Sequence, residues 1–552
     1  MSQPGEYVSS TADQSHRSAS PLRPPTVRPV RLAELRVALQ HRGLPVPESG
    51  PATDELAFTG ITIDSRSVEP GDLYIGLPGA RRHGAGFAAQ AEAAGAAAIL
   101  TDDDGARLAA ENAPGLPVLR SAGLRALVGP LAAAIYRSQP EGGGAPTLFG
   151  VTGTNGKTTT TYFINSLLAA LGLCSGLIGT IEIKAGSEAI PSALTTPESP
   201  EVHGLLALMR ERGLDAAAME VSSHAISYRR VDAVRFDVAG FTNLTQDHLD
   251  LHGSMDEYFD TKARLFEPER ARRAVVCVDD DWGRRLAKRA QAGGVETATL
   301  ATSGGGADWA VRGVVREGLG HRFELHGPAG EVLRLHTGLP GTFNISNAAL
   351  AVVMVLASGT DPARLQEALD SADPLTVEVP GRMQLISENP AAIVDFAHNP
   401  DALERTLASV RRPEPGARVI VVFGATGERD QTKRPLMGAI AARLADVVVI
   451  SDDDPHGEDA AQIRADVLAG ARAAAEKEHL SADIMEVFPR AAAIEHAVAI
   501  AAPSDTVLVA GRGHEVWQEV NGENLALDDR VELREALQRH GFGLLSPKAV
   551  ES

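Results

Sequence analysis

The sequence predicts an α/β protein of three domains organised around a central phosphate-loop sheet, and three observations predict it. The first is Gly150-Val151-Thr152-Gly153-Thr154-Asn155-Gly156-Lys157-Thr158-Thr159, preceded by the apolar Leu148-Phe149 and followed by a helix-like run over 162–168. It reads as strand, glycine loop and helix. The second is the alternation of apolar strand-like runs with helical stretches on its C-terminal side, which implies largely parallel sheets. The third is Pro140-Glu141-Gly142-Gly143-Gly144-Ala145-Pro146, the clearest linker in a chain of 552 residues. At roughly 150 residues per domain, that length suggests three or four domains.

Residues 1–30, rich in Ser, Pro, Thr and Arg, lack the apolar stretch of a secretory signal and read as a disordered tail. A small first domain is expected over 31–140: Leu32, Leu35 and Leu39 give a short helix, 61–66 and 70–75 alternate like strands, 87–95 is helical and 96–100 a strand. The second domain, 145–377, continues from the glycine loop through strand-like runs at 216–221, 238–243 and 274–279. The third, 378–552, repeats the alternation at 392–396, 418–424, 447–450 and 506–511. Polar residues gather where these strands end, at 220–224 and 243–250 in the second domain, and at 398–399, 427–430, 452–454 and 512–515 in the third. Open α/β sheets bind ligands at such ends. Gly424-Ala425-Thr426-Gly427 is half of a dinucleotide fingerprint and reads as a tight turn, so no dinucleotide is expected.

Lys and Arg total 52 against 72 Asp and Glu, a net charge of −20, so nucleic acid is not an expected partner. The Ala-rich run over 87–100 is broken by Gln90, Glu92 and Gly95, and no segment approaches the ~20 apolar residues of a membrane span. A cytoplasmic protein with no membrane partner is expected. Cys174 and Cys277 sit in apolar surroundings without a metal-binding or redox spacing, and read as buried thiols.

The glycine loop carries the chemistry. Successive backbone N–H groups curl around phosphate oxygens, the helix N-terminus adds partial positive charge, Lys157 neutralises the β/γ-phosphates and the Thr158 hydroxyl can ligate Mg²⁺. ATP or GTP is the implied ligand. The spacing is a variant, with Val151 where the first glycine usually stands. Glu220, an acid at a strand end near this loop, is placed to give Mg²⁺ a hard oxygen ligand. His248 could be a further metal ligand or a helix cap, and so could His224. Lys262 reads from spacing alone as a solvated helix lysine.

Taken together, 150–160, 219–224, 243–253, 341–347, Gly381-Arg382-Met383, 394–404 and 433–438 resemble the Mur ligases, in particular those that add the third amino acid to UDP-N-acetylmuramoyl-L-alanyl-D-glutamate. The resemblance runs from about 58 to 530. It implies a monomeric cytoplasmic enzyme of peptidoglycan synthesis, with a uridine-nucleotide domain, an ATPase domain and a Rossmann-like amino-acid domain closing on small-molecule substrates. Carried over by motif, Ile63, Ser65 and the loop 79–82 look like uridine-diphosphate contacts, and Thr195, Thr196, Ser222 and Arg230 like contacts to the muramoyl-dipeptide. ATP would be held by Gly153, Thr154, Asn155, Gly156, Lys157, Thr158, Thr159, Asn347, Arg382 and Asp395, with His398 nearby. Lys262 resembles a lysine that this family carbamylates, which would let it hold Mg²⁺ with Thr158, Glu220 and His248; Lys157, Lys262 and His248 are the implied catalytic residues. The implied reaction is attack of the D-glutamate carboxylate on the γ-phosphate, then displacement of the acyl phosphate by an amine, giving an amide, ADP and phosphate.

The amino acid added is read from Ser451-Asp452-Asp453-Asp454-Pro455-His456-Gly457-Glu458-Asp459, where relatives using meso-diaminopimelate carry Asp-Asn-Pro-Arg. Asp454 and His456 stand in place of that Asn and Arg, and 451–463 contains no Lys or Arg, so a terminal ammonium is favoured over a distal carboxylate. L-Lysine is therefore expected, with L-ornithine next and meso-diaminopimelate the alternative. Asp453, Asp454, Pro455 and His456 would line its site, and Arg429, Gly511 and Glu515 would hold the shared α-amino-acid end. A folylpolyglutamate synthetase would share the ATPase core without the uridine-nucleotide module. A phosphate-loop switch would not need the 511–515 cluster.

Overall fold

Short apolar runs buried on both faces form the parallel centres of the sheets, as the strands Ala391–Asp395, Val419–Phe423, Val447–Ile450 and Thr506–Ala510 illustrate, each buried along its whole length. The computed structural model describes residues 23–48, 53, 55–79, 82–140, 143–186, 188–192 and 194–545. The chain divides into two compact units, Met1–Gly144 with Glu198–Glu211, and Ala145–Pro197 with Arg212–Ser552.

In the first unit four parallel strands, Gly60–Thr62, Asp72–Gly76, Ala98–Thr101 and Val118–Arg120, pair in chain order. Their core takes in the helices Leu32–Gln40 and Arg125–Tyr136, and Ala207 from the helix Ser199–Glu211. That helix, reached in sequence only after the glycine loop, was not part of the 31–140 domain expected from the sequence. The expected tail of residues 1–30 falls partly on described residues. Positions 1–22 lie outside the described residues, but Arg23 meets Asp72 Oδ1 at 2.9 Å and Glu69 at 2.5 Å, and Val30–Arg31 pairs with Ala57–Phe58. Asp72 is buried, so its carboxylate requires a cation that the sequence places outside the domain proper.

The second unit contains an eleven-stranded and a six-stranded sheet. In the larger, Thr147–Thr152 lies between Ala216–Glu220 and Phe236–Phe241, parallel to both. Antiparallel strands extend it at each end. The helix Phe343–Ala357 is apolar almost all round and packs against the phosphate-loop helix Lys157–Ala170. Full burial of each large apolar residue on it, Leu350 among them, contributes about 1.5–3 kcal/mol. In the smaller sheet the order is Gln384–Glu388, Ala391–Asp395, Thr506–Ala510, Val419–Phe423, Val447–Ile450 and Asp483–Glu486, parallel except at the first pair. Cys277 is buried, but Cys174 is exposed, contrary to the expectation of two buried thiols. Among the described residues no helix is long and apolar enough to cross a membrane.

Candidate active site

The loop Gly153-Thr154-Asn155-Gly156 joins the strand Thr147–Thr152 to the helix Lys157–Ala170. Gly156 is required: its φ is 91°, and a Cβ there would stand 2.3 Å from Asn347 Oδ1. This approach places Asn347, carried by the buried helix, against the loop. Both Lys157 Nζ, at 3.0 Å, and Lys262 Nζ, at 2.8 Å, donate to the Gly153 carbonyl oxygen. Burial lowers the pKa of Lys157 against the pull of Glu220 and Asp247. Burial, with the charge of Lys157, holds Lys262 well below the usual lysine range. Lys262 is 2% exposed and stands 4.7 Å over the Tyr258 ring, so the solvated helix lysine read from spacing is corrected. Tyr258 and Lys262, four residues apart, share a buried face of the helix Met255–Ala263.

Glu220, fully buried at its strand end, accepts from Thr158 Oγ1 at 2.8 Å, from Thr180 Oγ1 at 3.0 Å and from the Thr180 N–H at 2.8 Å. Among the described residues, no Lys or Arg forms an ion pair with it. A buried carboxylate supplied only with neutral donors, beside a phosphate loop and a Thr hydroxyl, fits Mg²⁺, which takes few protein oxygens and leaves the rest of its shell to water and phosphate. His248 lies within electrostatic reach of Lys157, Lys262 and Asp247. Its backbone caps the short helix Leu249–His252 at φ 53°, its side chain makes no cap hydrogen bond, and its ring stands edge-on to His224 at 4.8 Å. Burial holds its imidazole near a pKa of about 3, against the pull of Asp247. Among the described residues no three His, Cys, Asp or Glu side chains are gathered to hold a metal.

Thr180 also lies 3.2 Å from Thr195 Oγ1, so the carboxylate site and the expected dipeptide residues are neighbours. Thr196 Oγ1 donates to the Glu220 carbonyl at 2.8 Å and is 3.5 Å from Ser222 Oγ, while Arg230 donates to the Thr196 carbonyl at 3.2 Å. These four residues form one cluster. Ile63 and Ser65 belong to the other unit, where Ser65 Oγ donates to Gln90 Oε1 at 2.9 Å; positions 80 and 81 of the expected uridine-diphosphate loop lie outside the described residues.

From the smaller sheet, Asp395 accepts from the Met383 N–H at 2.7 Å and from Thr406 Oγ1 at 3.2 Å, and Arg382 stacks on Phe396 at 4.1 Å. Burial lowers the Arg382 pKa and raises that of Asp395. His398 Nε2 is 3.9 Å from Asp247 Oδ2. Sequence reasoning did not assign roles to Thr180, Tyr258 or Asp247. The first follows the strand Ser175–Ile178, so the strand-end rule that found Glu220 would have reached it.

The carboxylates of the 452–458 loop are not the unpaired acids, favouring a terminal ammonium, that the sequence implies. Asp452 pairs with Arg464, Asp454 with Arg512, and Glu458 with Arg434 at 2.7 Å. Asp453 is buried, and Arg490 and Arg512 hold its carboxyl below the usual range despite its burial. Gly511, at φ 115°, lets the backbone approach Asp453, to whose Oδ2 a Cβ would come within 2.5 Å. The Pro455 carbonyl stands 2.0 Å from where a Cβ on Gly427 would lie, and His456 Nδ1 meets Glu519 Oε2 at 2.9 Å. Burial and the neighbouring Asp453 and Asp454 push the Glu515 carboxyl up to about 8. Arg429 is exposed.

Three family profiles match the chain: "Mur ligase family, catalytic domain" over 57–133, "Mur ligase middle domain" over 151–355, and "Mur ligase, glutamate ligase domain" over 381–513. A UDP-N-acetylmuramyl-tripeptide synthetase of Leifsonia xyli is 46% identical over 95% of this chain and 99% of its own. A UDP-N-acetylmuramoyl-L-alanyl-D-glutamate--2,6-diaminopimelate ligase of Streptomyces coelicolor is 45% identical over 94% and 98%. A solved structure of a UDP-N-acetylmuramoyl-L-alanyl-D-glutamate--2,6-diaminopimelate ligase superposes with a TM-score of 0.63 at 28% identity, over 94% of this chain and all of that one. These relatives do not support the expectation of L-lysine, whose physical basis also fails. Scanning 451–463 for cations could not see Arg464, Arg490 and Arg512, which the fold brings to the loop from up to 58 residues away.

Proposed function

The chain belongs to the Mur ligase family, whose members are ATP-dependent amide-bond ligases, and from that premise we propose that it joins a diamino acid, meso-diaminopimelate, to the D-glutamate of UDP-N-acetylmuramoyl-L-alanyl-D-glutamate in cytoplasmic peptidoglycan synthesis. The observation that carries the reading is Thr180. Its hydroxyl lies 3.0 Å from Glu220 and 3.2 Å from Thr195, so phosphate-side and acceptor-side groups meet at one residue.

In this reading the loop amides and Lys157 take the β/γ-phosphates, giving up the hydrogen bonds that Lys157 makes to Gly153 and Thr154. Thr158 and Glu220 would hold Mg²⁺, which when bound neutralises charge between the two anions that must approach. Arg230 grips the dipeptide carboxylate, and Asn347, Arg382 and Asp395 flank the nucleotide. Burial, together with the charge of Lys157, lowers the pKa of Lys262 and so favours the free amine that reaction with CO₂ requires; as a carbamate it would become a further oxygen ligand. Glu515, Asp453 and Gly511 would hold the α-amino-acid end. Meso-diaminopimelate is supported by the relatives named for it and by the loss of the unpaired acidic loop that favoured lysine.

The test is phosphate release with ATP and UDP-muramoyl-dipeptide while the amino acid is varied. Release should require both the dipeptide and a diamino acid, with kcat/KM for meso-diaminopimelate at least about tenfold above L-lysine and L-ornithine, as expected when one site-built ion pair is gained or lost. A preference for L-lysine would overturn the amino-acid assignment and leave the ligase reading intact.

A further inference from the structure

Asn155 is held from two directions. Its backbone is tied down within its own sheet: the N–H donates to Asn243 Oδ1 at 3.1 Å, and the carbonyl accepts from Thr242 Oγ1 at 2.7 Å and Asn243 Nδ2 at 3.0 Å. Its side chain reaches across to the other sheet of the unit, where Nδ2 donates to Asp401 Oδ2 at 2.9 Å. Asp401 opens the helix Pro400–Val410, which follows the strand bearing Asp395. The helix start is itself fixed. Asn399, 1% exposed, caps it by accepting from the Ala402 N–H at 2.9 Å, and its Nδ2 lies 3.4 Å from Asn155 Oδ1 and 3.3 Å from Asp247 Oδ2.

An acid in a first helical turn is ordinary, and Asp401 also pairs with Arg405 one turn on at 2.9 Å. Neither accounts for its second oxygen being spent on the phosphate loop. We propose that Asp401 is a positioning residue that latches the helix Pro400–Val410 to the phosphate loop, so that the loop and the Arg382–Asp395 side are presented to one nucleotide together. The proposal rests on the reading of this loop as the ATP site.

The test compares the full-length Asp401→Ala, Asp401→Ser and Asp401→Asn enzymes, alone and with Asn155→Ala. Losing one such hydrogen bond is expected to raise KM for ATP about five- to tenfold in the Ala and Ser variants, with kcat lowered by about twofold or less and KM for the UDP-dipeptide unchanged. Asp401→Asn, whose carbonyl oxygen can still accept from Asn155, should stay within about twofold of wild type. In the Asn155→Ala background, Asp401→Ala should add nothing. Wild-type KM for ATP in Asp401→Ala, equal loss in Asp401→Asn, or additive losses in the double variant would each overturn the latch. Absence of ATP-dependent phosphate release by the wild-type enzyme would instead overturn the ATP reading itself.

Discussion

The two ends of the second unit's site handle buried charge in opposite ways. At the phosphate loop the partly buried Lys157 and the buried Lys262 donate to backbone carbonyls, and Glu220 is a buried carboxylate served by hydroxyls and an N–H. At the 452–458 loop and beside it, carboxylates are matched by guanidinium groups: Asp452 by Arg464, Asp454 by Arg512, and Asp529 by Arg490 through two 2.8 Å bonds. The first arrangement is incomplete until an anion and a hard cation arrive. The second is complete beforehand and holds a shape. Burying unpaired charge costs several kcal/mol, so it persists where ligand charge completes it, whereas paired charge can serve as scaffold.

If that contrast is right, damage to the scaffold should appear as lost stability and damage to the phosphate side as lost turnover. Arg490 and Asp529 are both fully buried, so Arg490→Ala should cost about 3–5 kcal/mol in urea unfolding, far more than the exposed Arg429→Ala; equal, small losses would break the contrast. Lys157→Ala should cut kcat by about 10²–10³-fold, the usual effect of removing a fixed donor that faces developing charge, with little change in unfolding midpoint. Lys262→Ala should lose about 10–100-fold, with partial return on adding formate or acetate, small anions able to supply a missing oxygen ligand. Full activity without rescue would remove Lys262 from the site.

The smallest effect concerns pH. Glu515 in the folded protein keeps its proton up to about pH 8, while the unfolded chain releases it near 4.5. Across that window the folded state binds more protons, so stability falls as pH rises through it and levels off above. Glu515→Gln should flatten that slope without changing behaviour below pH 4.5, measured as urea midpoints against pH. An unchanged slope would show that its carboxyl is not held up.

The glycine loop was legible because contiguous residues perform phosphate chemistry largely through backbone groups, so spacing along the chain is the geometry. Glu220 was legible from its strand end. From spacing alone Lys262 was not, and only the family resemblance marked it, because its burial depends on Tyr258 sharing its helix face and on a carbonyl 109 residues away; the four-residue interval was in the sequence, unread. The charge environment of the 452–458 loop was misread for the same reason on a larger scale. A charge count along 451–463 sees one side of each pair, while Arg490 arrives at the start of the helix Arg490–Ala499 and Arg512 just after the strand Thr506–Ala510. Apolar runs that form parallel strands transferred well, since burial on both faces needs no partner identity. Asp401 was read only as one position of the 394–404 motif, because its contact with Asn155 is a hydrogen bond spanning 246 residues.

The helix Ser199–Glu211 has a consequence for how this protein is made. Ala207 enters the first unit's core, His203 Nδ1 lies 2.8 Å from Ser138 Oγ, and Arg125 reaches Glu198 at 2.8 Å. A ribosome therefore finishes that unit's four strands long before it produces the piece that covers them, and must first release the entire phosphate loop. A fragment ending at Gly144 would possess its sheet but lack part of its core, and a separate peptide spanning 198–211 is the piece that would complete it.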